Sequence, residues 1–338
     1  MNLTQFNPLK CLAHADKIRD ILNGKFPPPI LVHLDLTNRC NFNCPWCYVK
    51  NYISNRIEMP FHIASKIINE LVDYGVQSIL FTGGGEPTLY PDFMKAVELA
   101  ANQNVELGLT TNGTQLYKFA DCLPLEKFKY VRVSFDAGCE ETYMKVHGAK
   151  KGDFIRTLEG ARAIALRKLC QVGLAYLVTP LNYRELPEAL RWAENYDLDY
   201  ISIRPTVFEM FLSEAQVKEA IEISNSLTSS SVNILRLNER FETIMNEERI
   251  ACRSTPLIAA ITADAKLTLC CQKRGESEFQ WGDLSTESFK NLWGNLLHQT
   301  MLEKVKNEPC FDCTCRMRSY SQIIEKVFIE DNMHLGFL

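Results

Sequence analysis

The sequence predicts an α/β protein: a parallel sheet covered by helices and curled into a partial (β/α)6, TIM-like barrel, followed by a small cysteine-rich domain. Three observations predict it. Short apolar runs alternate with stretches of helical periodicity over the first two thirds of the 338 residues. Those runs are almost continuously apolar, as expected of strands buried on both faces. From Cys252 onward the composition changes and cysteines crowd together.

In chain order, a helix is expected over about Leu9–Leu22, and Pro27-Pro28-Pro29 follows as a stiff spacer. The expected strands are Leu31–Leu36, Ser78–Thr82, Glu106–Thr111, Tyr130–Phe135, Val172–Val178 and Tyr200–Arg204. Helical patterns fall between them at Phe61–Asp73, Asp92–Asn102, Gly152–Arg167 and Arg184–Asn195. Right-handed crossovers curl such units into a barrel, whose chemistry collects at the C-terminal strand ends. Further helical patterns lie at Glu214–Leu227 and Asn238–Glu247, with Thr228-Ser229-Ser230-Ser231 as a loop between them. The expected division is an N-terminal helix and linker over 1–29, a barrel over 30–235, a cysteine-rich domain over 236–320, and a C-terminal helix and tail over 321–338.

Composition narrows the function. Apolar content of 46% and charged content of 23% are ordinary for a globular protein. A net charge of −4, with no long basic run, gives no field that favours nucleic acid or an anionic membrane. No apolar run reaches the roughly 18 residues of a membrane-spanning helix, and the N-terminus has no secretory pattern. A cytoplasmic location is therefore expected. In a reducing compartment the 13 cysteines serve metals or chemistry rather than disulfides.

The most informative of them are Cys40, Cys44 and Cys47, spaced C-x3-C-x2-C just after the first expected strand. Three thiolates on one loop can ligate three irons of a cubane [4Fe–4S] cluster and leave the fourth iron open to an exogenous ligand. An electron-transfer cluster takes four cysteines. Zinc is the rival, although structural zinc sites favour paired C-x2-C units, and Cys44 and Cys47 are too close for a good structural bridge. One βα unit later, Thr82-Gly83-Gly84-Gly85-Glu86-Pro87 ends the second strand. Alone it reads first as a tight turn capped by a glutamate, since a lone glycine-rich run is a weak signal; glycines there also let backbone approach a ligand closely.

Together these two motifs resemble the radical S-adenosylmethionine (SAM) superfamily, over residues 30 to about 205. The resemblance implies that Cys40, Cys44 and Cys47 hold a [4Fe–4S] cluster and that SAM chelates its open iron. Reductive cleavage of SAM then gives a 5′-deoxyadenosyl radical that abstracts a substrate hydrogen. By the same analogy Gly84, Gly85 and Glu86 meet the methionine amino group. The backbone of Tyr48 lies near adenine, Asn112 reaches ribose, and Ser134 meets ribose or the methionine carboxylate. Arg204 pairs with a carboxylate of SAM or substrate, or with a rim carboxylate as a structural bridge. Bland readings stand beside these, namely an Asn-Gly turn at Asn112-Gly113 and a helix cap near Ser134.

The C-terminal cysteines resemble the Twitch form of the SPASM extension in these enzymes, which carries one auxiliary cluster. The ligands so implied are Cys252, Cys270, Cys310 and Cys313, with Cys271 and Cys315 as substitutes; the set alone would also suit zinc. Cys11, Cys122, Cys139 and Cys170 read as packing residues, with Cys139 also a candidate hydrogen-atom donor. The resemblance implies a radical SAM oxidoreductase acting on a small molecule or peptide, with a reducing partner such as flavodoxin or ferredoxin. Dehydrogenation or epimerisation of a sugar or aminocyclitol fits a single auxiliary cluster that accepts one electron. The alternatives are thioether formation or cross-linking of a ribosomal peptide, for which no leader-binding domain is expected before residue 30, and decarboxylation of a nucleoside sugar acid. A non-catalytic iron–sulfur or zinc protein is the alternative of another class.

Overall fold

A computed structural model describes residues 6–206, 212–237, 240–241, 250–307, 315 and 317–330. Its centre is one ten-stranded sheet. The strands are β1 (Leu31–Asp35), β2 (Ser78–Thr82), β3 (Glu106–Thr111), β4 (Phe128–Ser134), β5 (Gln171–Val178), β6 (Tyr200–Pro205), β7 (Asn233–Arg236), β8 (Ile258–Ile261), β9 (Lys266–Thr268) and β10 (Gln280–Asp283). Their spatial order is β10-β9-β8-β1-β2-β3-β4-β5-β6-β7, so the sheet does not close. From β8 through β7 every pair is parallel, whereas β9 and β10 add antiparallel strands at one edge.

Strand alternation builds two environments. Val32, Leu34, Ile79, Phe81, Val131, Val133, Ile201 and Ile203 join the large apolar core under the covering helices. The intervening positions Leu80, Gly108, Arg132, Ser202 and Arg204 line an inner cavity of about 650 Å³. The helices that supply the other half of the core include Phe61–Tyr74, Phe93–Ala101, Asp153–Ala165 and Leu186–Asn195. The first of these presents Ala64, Ile67, Ile68 and Leu71 at helical spacing and ends at Gly75, whose φ of 94° closes the helix in the left-handed region.

The six foreseen strands agree with the observed ones to within a residue or two. β7 and β8 were not expected as strands. Each is four residues long, and β8 is buried at every position, so neither shows the alternation that marks a half-exposed strand. The consequence is topological. β8 pairs in parallel with β1, so the sheet runs without a break from the barrel into the cysteine-rich segment. Most of the helix expected over Asn238–Glu247 lies outside the described residues; of these positions only Arg240 and Phe241 are described.

The C-terminal segment packs against the outside of the barrel. Phe289 meets Tyr74 edge-on at 5.3 Å, and its backbone N–H donates to Glu70 at 2.8 Å. Lys66 Nζ donates to the carbonyls of Leu284 and Glu287. Trp293 donates its indole N–H to the Pro27 carbonyl at 3.0 Å, which fixes the proline spacer. His298 stacks flat on Trp281 at 4.0 Å and accepts the Gly294 N–H at Nδ1, a bond that requires neutral imidazole. Burial lowers its pKa to about 3. The unfolded chain takes up this proton near pH 6.5 and the folded chain does not, so stability falls as pH drops from 6.5 toward 3. The thermal midpoint is expected to decline over that window, and His298→Gln to flatten the decline; equal slopes in variant and parent would refute the assignment.

Candidate active site

β1 feeds directly into the loop that carries Cys40, Cys44 and Cys47. A bridge from Thr37 to Glu58 and a bond from Asn38 N–H to the Ile57 carbonyl hold the base of that loop. Burial pushes the Cys40 thiol up to about 11, and it pushes Cys44 and Cys47 upward as well. The negative charges that Cys40 and Cys47 would carry add to the rise at Cys44. Three partly desolvated thiols that repel one another when ionised are stabilised as thiolates by a cationic group, and metal binding then releases their protons. Groups that favour bound sulfur are in place: Phe42 N–H points to Cys40 Sγ at 3.4 Å, and His147 Nδ1 lies 3.6 Å from Cys44 Sγ. Among the described residues no three His, Cys, Asp or Glu side chains converge on a point that would hold a single metal ion. Three thiols on one loop that feel one another's charge are a donor set that fits a cubane, one cysteine to each of three irons.

The glycine motif is packed onto this loop. Gly85 N–H donates to the Thr37 carbonyl at 3.1 Å and Glu86 N–H to the Arg39 carbonyl at 2.7 Å. A Cβ on Gly85 would stand 2.2 Å from the Arg39 oxygen, and one on Gly84 would stand 2.7 Å from Asn38 Oδ1. Glycine is required here for close backbone approach. The Glu86 carboxylate is buried and accepts from Thr88 N–H, Thr88 Oγ1, Thr111 Oγ1 and Asn112 N–H. Burial raises its pKa, and those donors oppose the rise. It ties the ends of β2 and β3 together.

The remaining expected residues are spread over the strand ends and the C-terminal segment. Asn112 Nδ2 donates to Asn41 Oδ1 at 2.8 Å, which links the end of β3 to the cysteine loop. Ser134 ends β4, and Arg204, near the end of β6, lines the inner cavity. Tyr48 extends its hydroxyl to the Cys271 carbonyl at 3.2 Å. Cys139 is exposed at the start of the Glu140–His147 helix, beside Thr142 and Glu185. Cys271 and Cys315 share one apolar cluster with Ile258, Ala260 and Met317. Cys252 Sγ lies 3.9 Å from Thr255 Oγ1, and Cys270 is half-buried. Cys310 and Cys313 lie outside the described residues.

Two sets of residues at this site were not foreseen. The first is Asp35 with Arg274. Asp35 is fully buried and Arg274 is 5% exposed, with Nε 2.7 Å from Asp35 Oδ2. The same carboxylate oxygen accepts the Gly84 N–H at 3.0 Å. Arg274 also donates to Tyr48 Oη at 2.8 Å and to the Cys271 carbonyl at 2.6 Å, and meets His33 Nδ1 at 3.1 Å. Burial raises Asp35 above the usual carboxylate range, and the guanidinium opposes that rise. The second is His147 with Asp136. His147 Nε2 lies 2.9 Å from the Phe135 carbonyl and 3.6 Å from Asp136 Oδ2, which orients the ring toward Cys44. Asp35 and His33 are polar residues in an apolar strand that leads into the cysteine loop, a signal available in the sequence. Arg274 and His147 carried none, because their role comes from elements distant in sequence.

An open, mostly parallel α/β barrel with a three-cysteine loop after its first strand and a glycine-rich turn after its second defines the radical SAM class. Residues 34–193 match the radical SAM superfamily. These residues form a radical SAM domain, and the cofactors of that family are a [4Fe–4S] cluster and SAM. It is 22% identical over 325 residues to the tungsten-containing aldehyde ferredoxin oxidoreductase cofactor-modifying protein of Pyrococcus furiosus, covering 84% of this chain and 87% of that one. It is 27% identical to GTP 3′,8-cyclase of Rhizobium meliloti over 175 residues, 50% of this chain and 49% of the cyclase. Two solved structures share the fold. Streptococcus suis SuiB bound to SAM superposes with a TM-score of 0.67 at 15% identity, over 89% of this chain and 75% of SuiB. The enzyme anSMEcpe with bound SAM superposes with a TM-score of 0.62 at 16% identity, over 88% of this chain and 97% of that one. Among the described residues no helix is long and apolar enough to cross a membrane.

Arg274→Met would leave the Asp35 charge buried without its partner, at a cost of about 3–5 kcal/mol. Urea unfolding is expected to show that loss, and Asp35→Asn in the same background to recover a large share of it. Gly85→Ala forces the Arg39 carbonyl aside, costs about 1–3 kcal/mol, and is expected to lower the iron retained per chain after anaerobic reconstitution. Iron content equal to the parent's would show that the cysteine loop does not depend on this contact.

Proposed function

We propose that this enzyme oxidises, or epimerises at carbon, a small polar substrate of sugar or aminocyclitol size held in the inner cavity. The observation that carries this reading is the cavity itself. It measures about 650 Å³, runs from the N-terminal ends of the strands at Leu31, Ser78, Glu106 and Gln171 to the side chains of Arg132 and Arg204, and combines apolar walls with those arginines and Ser202. That volume suits a small molecule. Cys40, Cys44 and Cys47 would hold the cluster, with Gly84, Gly85 and Glu86 forming the wall beside the methionine end of SAM. Asn112 and Ser134 are assigned to the ribose side, and the Tyr48 backbone to adenine. When bound, the cluster and SAM supply the one-electron cleavage that yields the 5′-deoxyadenosyl radical, which takes a hydrogen from substrate. The chain's own part is to orient substrate beneath the strand ends and exclude water.

The C-terminal cysteines are assigned to an auxiliary cluster on Cys252, Cys270, Cys310 and Cys313, with Cys271 or Cys315 as substitutes. Support comes from Arg274, which holds the Cys271 backbone and Tyr48 of the cysteine loop on one guanidinium. An acceptor cluster there would take the electron a substrate radical loses, giving a net two-electron oxidation. Epimerisation instead requires a hydrogen donor. Cys139 is exposed beside Thr142 and Glu185, whereas Cys271 packs with Ile258 and Met317, two residues that line the cavity. A second reading, modification of another protein's cofactor, is favoured by the match to a cofactor-modifying protein over most of both chains.

Replacing Cys40, Cys44 and Cys47 together by Ala is expected to abolish SAM cleavage under a strong reductant; cleavage at the parent rate would overturn the site. In the parent, about eight irons with matching sulfide and two EPR signals are expected of two [4Fe–4S] clusters. About four irons would return the C-terminal cysteines to zinc or packing.

A further inference from the structure

We propose that the inner cavity binds the anionic group of its substrate, a carboxylate or a phosphate, on the guanidinium of Arg132. This rests on the reading above only in taking the cavity as the substrate site. Arg132 stands on β4 and is 9% exposed. Its Nη2 donates to Thr110 Oγ1 at 3.1 Å, while its buried Nε has no hydrogen-bond partner among the described residues. Within the same residues no carboxylate forms an ion pair with it. Asp136 feels its charge at longer range, but that carboxylate is engaged by Leu177 N–H and lies beside His147.

The Phe6 ring lies 5.3 Å from the Arg132 guanidinium and meets Tyr130 and Tyr200 edge-on. This aromatic wedge covers one face of the guanidinium and leaves in-plane N–H groups to meet an oxygen ligand. A desolvated guanidinium with an unmatched donor is costly unless a counter-charge is supplied, and its planar fork suits carboxylate or phosphate.

The surroundings favour the same sign. Arg204, Arg240 and Lys10 line this cavity as well; the two arginines have contacts of their own and Lys10 is exposed. Among the described lining residues the single carboxylate is Glu106, and Lys129 pairs with it at 3.1 Å.

The test is saturable anion binding to cluster-loaded protein, measured by calorimetry and by the unfolding midpoint at fixed ionic strength set with chloride. SAM is held at saturation. Inorganic phosphate probes one arm and malonate the other. At least one probe is expected to bind, with Arg132→Gln weakening it about tenfold or more and Arg132→Lys recovering part of the loss. Thr110→Val, which frees the guanidinium without removing it, is expected to weaken binding less and covers the case in which Arg132→Gln fails to fold. Lys151→Gln, on the exposed surface, is expected to change nothing. The proposal is overturned if neither probe binds beyond the chloride control, if the Arg132 and Thr110 variants bind like the parent, or if saturating SAM abolishes binding, which would give the site to the carboxylate of SAM. Probe binding in protein that does not cleave SAM would keep this inference and sink the radical-enzyme reading. SAM cleavage without probe binding would do the reverse.

Discussion

The ion pair between Asp35 and Arg274 joins every part of the site. Asp35 is the last residue of β1, so its carboxylate sits where the barrel hands over to the cysteine loop. One oxygen holds both the Gly84 N–H and the guanidinium of Arg274. Arg274 in turn holds Tyr48, His33 and the Cys271 carbonyl. A buried pair of this kind adds little net stability compared with apolar residues of the same shape, because desolvation offsets the attraction. Its effect is on position. Losing either partner strands a charge, so the two cysteine-bearing segments are held in one arrangement relative to the glycine turn.

Around that pair, loop-to-loop hydrogen bonding replaces regular structure. The cysteine loop has little helix or strand of its own before Lys50. Its carbonyls are taken by Gly85 and Glu86, and Asn41 exchanges bonds with Asn112 and Thr114. Buried backbone polar groups must be paired, and here the pairing also determines where three thiols stand. The glycines serve this directly, since a side chain at Gly84 or Gly85 would collide with Asn38 or Arg39. Glu86 serves it at one remove by binding the ends of β2 and β3. His147, oriented by the Phe135 carbonyl and Asp136, reaches the same loop from the far side through Cys44.

Much of this was legible in the chain. The six barrel strands are long enough, and apolar enough, to announce themselves, and the C-x3-C-x2-C and Gly-Gly-Gly-Glu spacings are local patterns whose meaning does not depend on the fold. What escaped is what depends on pairing across the sequence. β8 is a four-residue apolar run with no alternation, so nothing marks it as the strand that pairs with β1. Arg274 sits in a loop far from Asp35 in sequence, and nothing near it tells a buried anchor from a surface arginine. Arg132 lies in a strand where alternation suggests an inward side chain, but not that its partners would be Thr110 and a phenyl ring.

The sequence by itself determined the class of protein, the six barrel strands with the helices between them, and the close spacing of three thiols after the first strand, because each follows from residues close together in the chain. The tertiary structure alone decided that the cysteine-rich segment continues the barrel sheet, that one buried arginine couples it to the cysteine loop, and that Arg132 is buried against Thr110 and a phenyl ring. Those are matters of which distant residues share a low-dielectric space, and no local pattern records them.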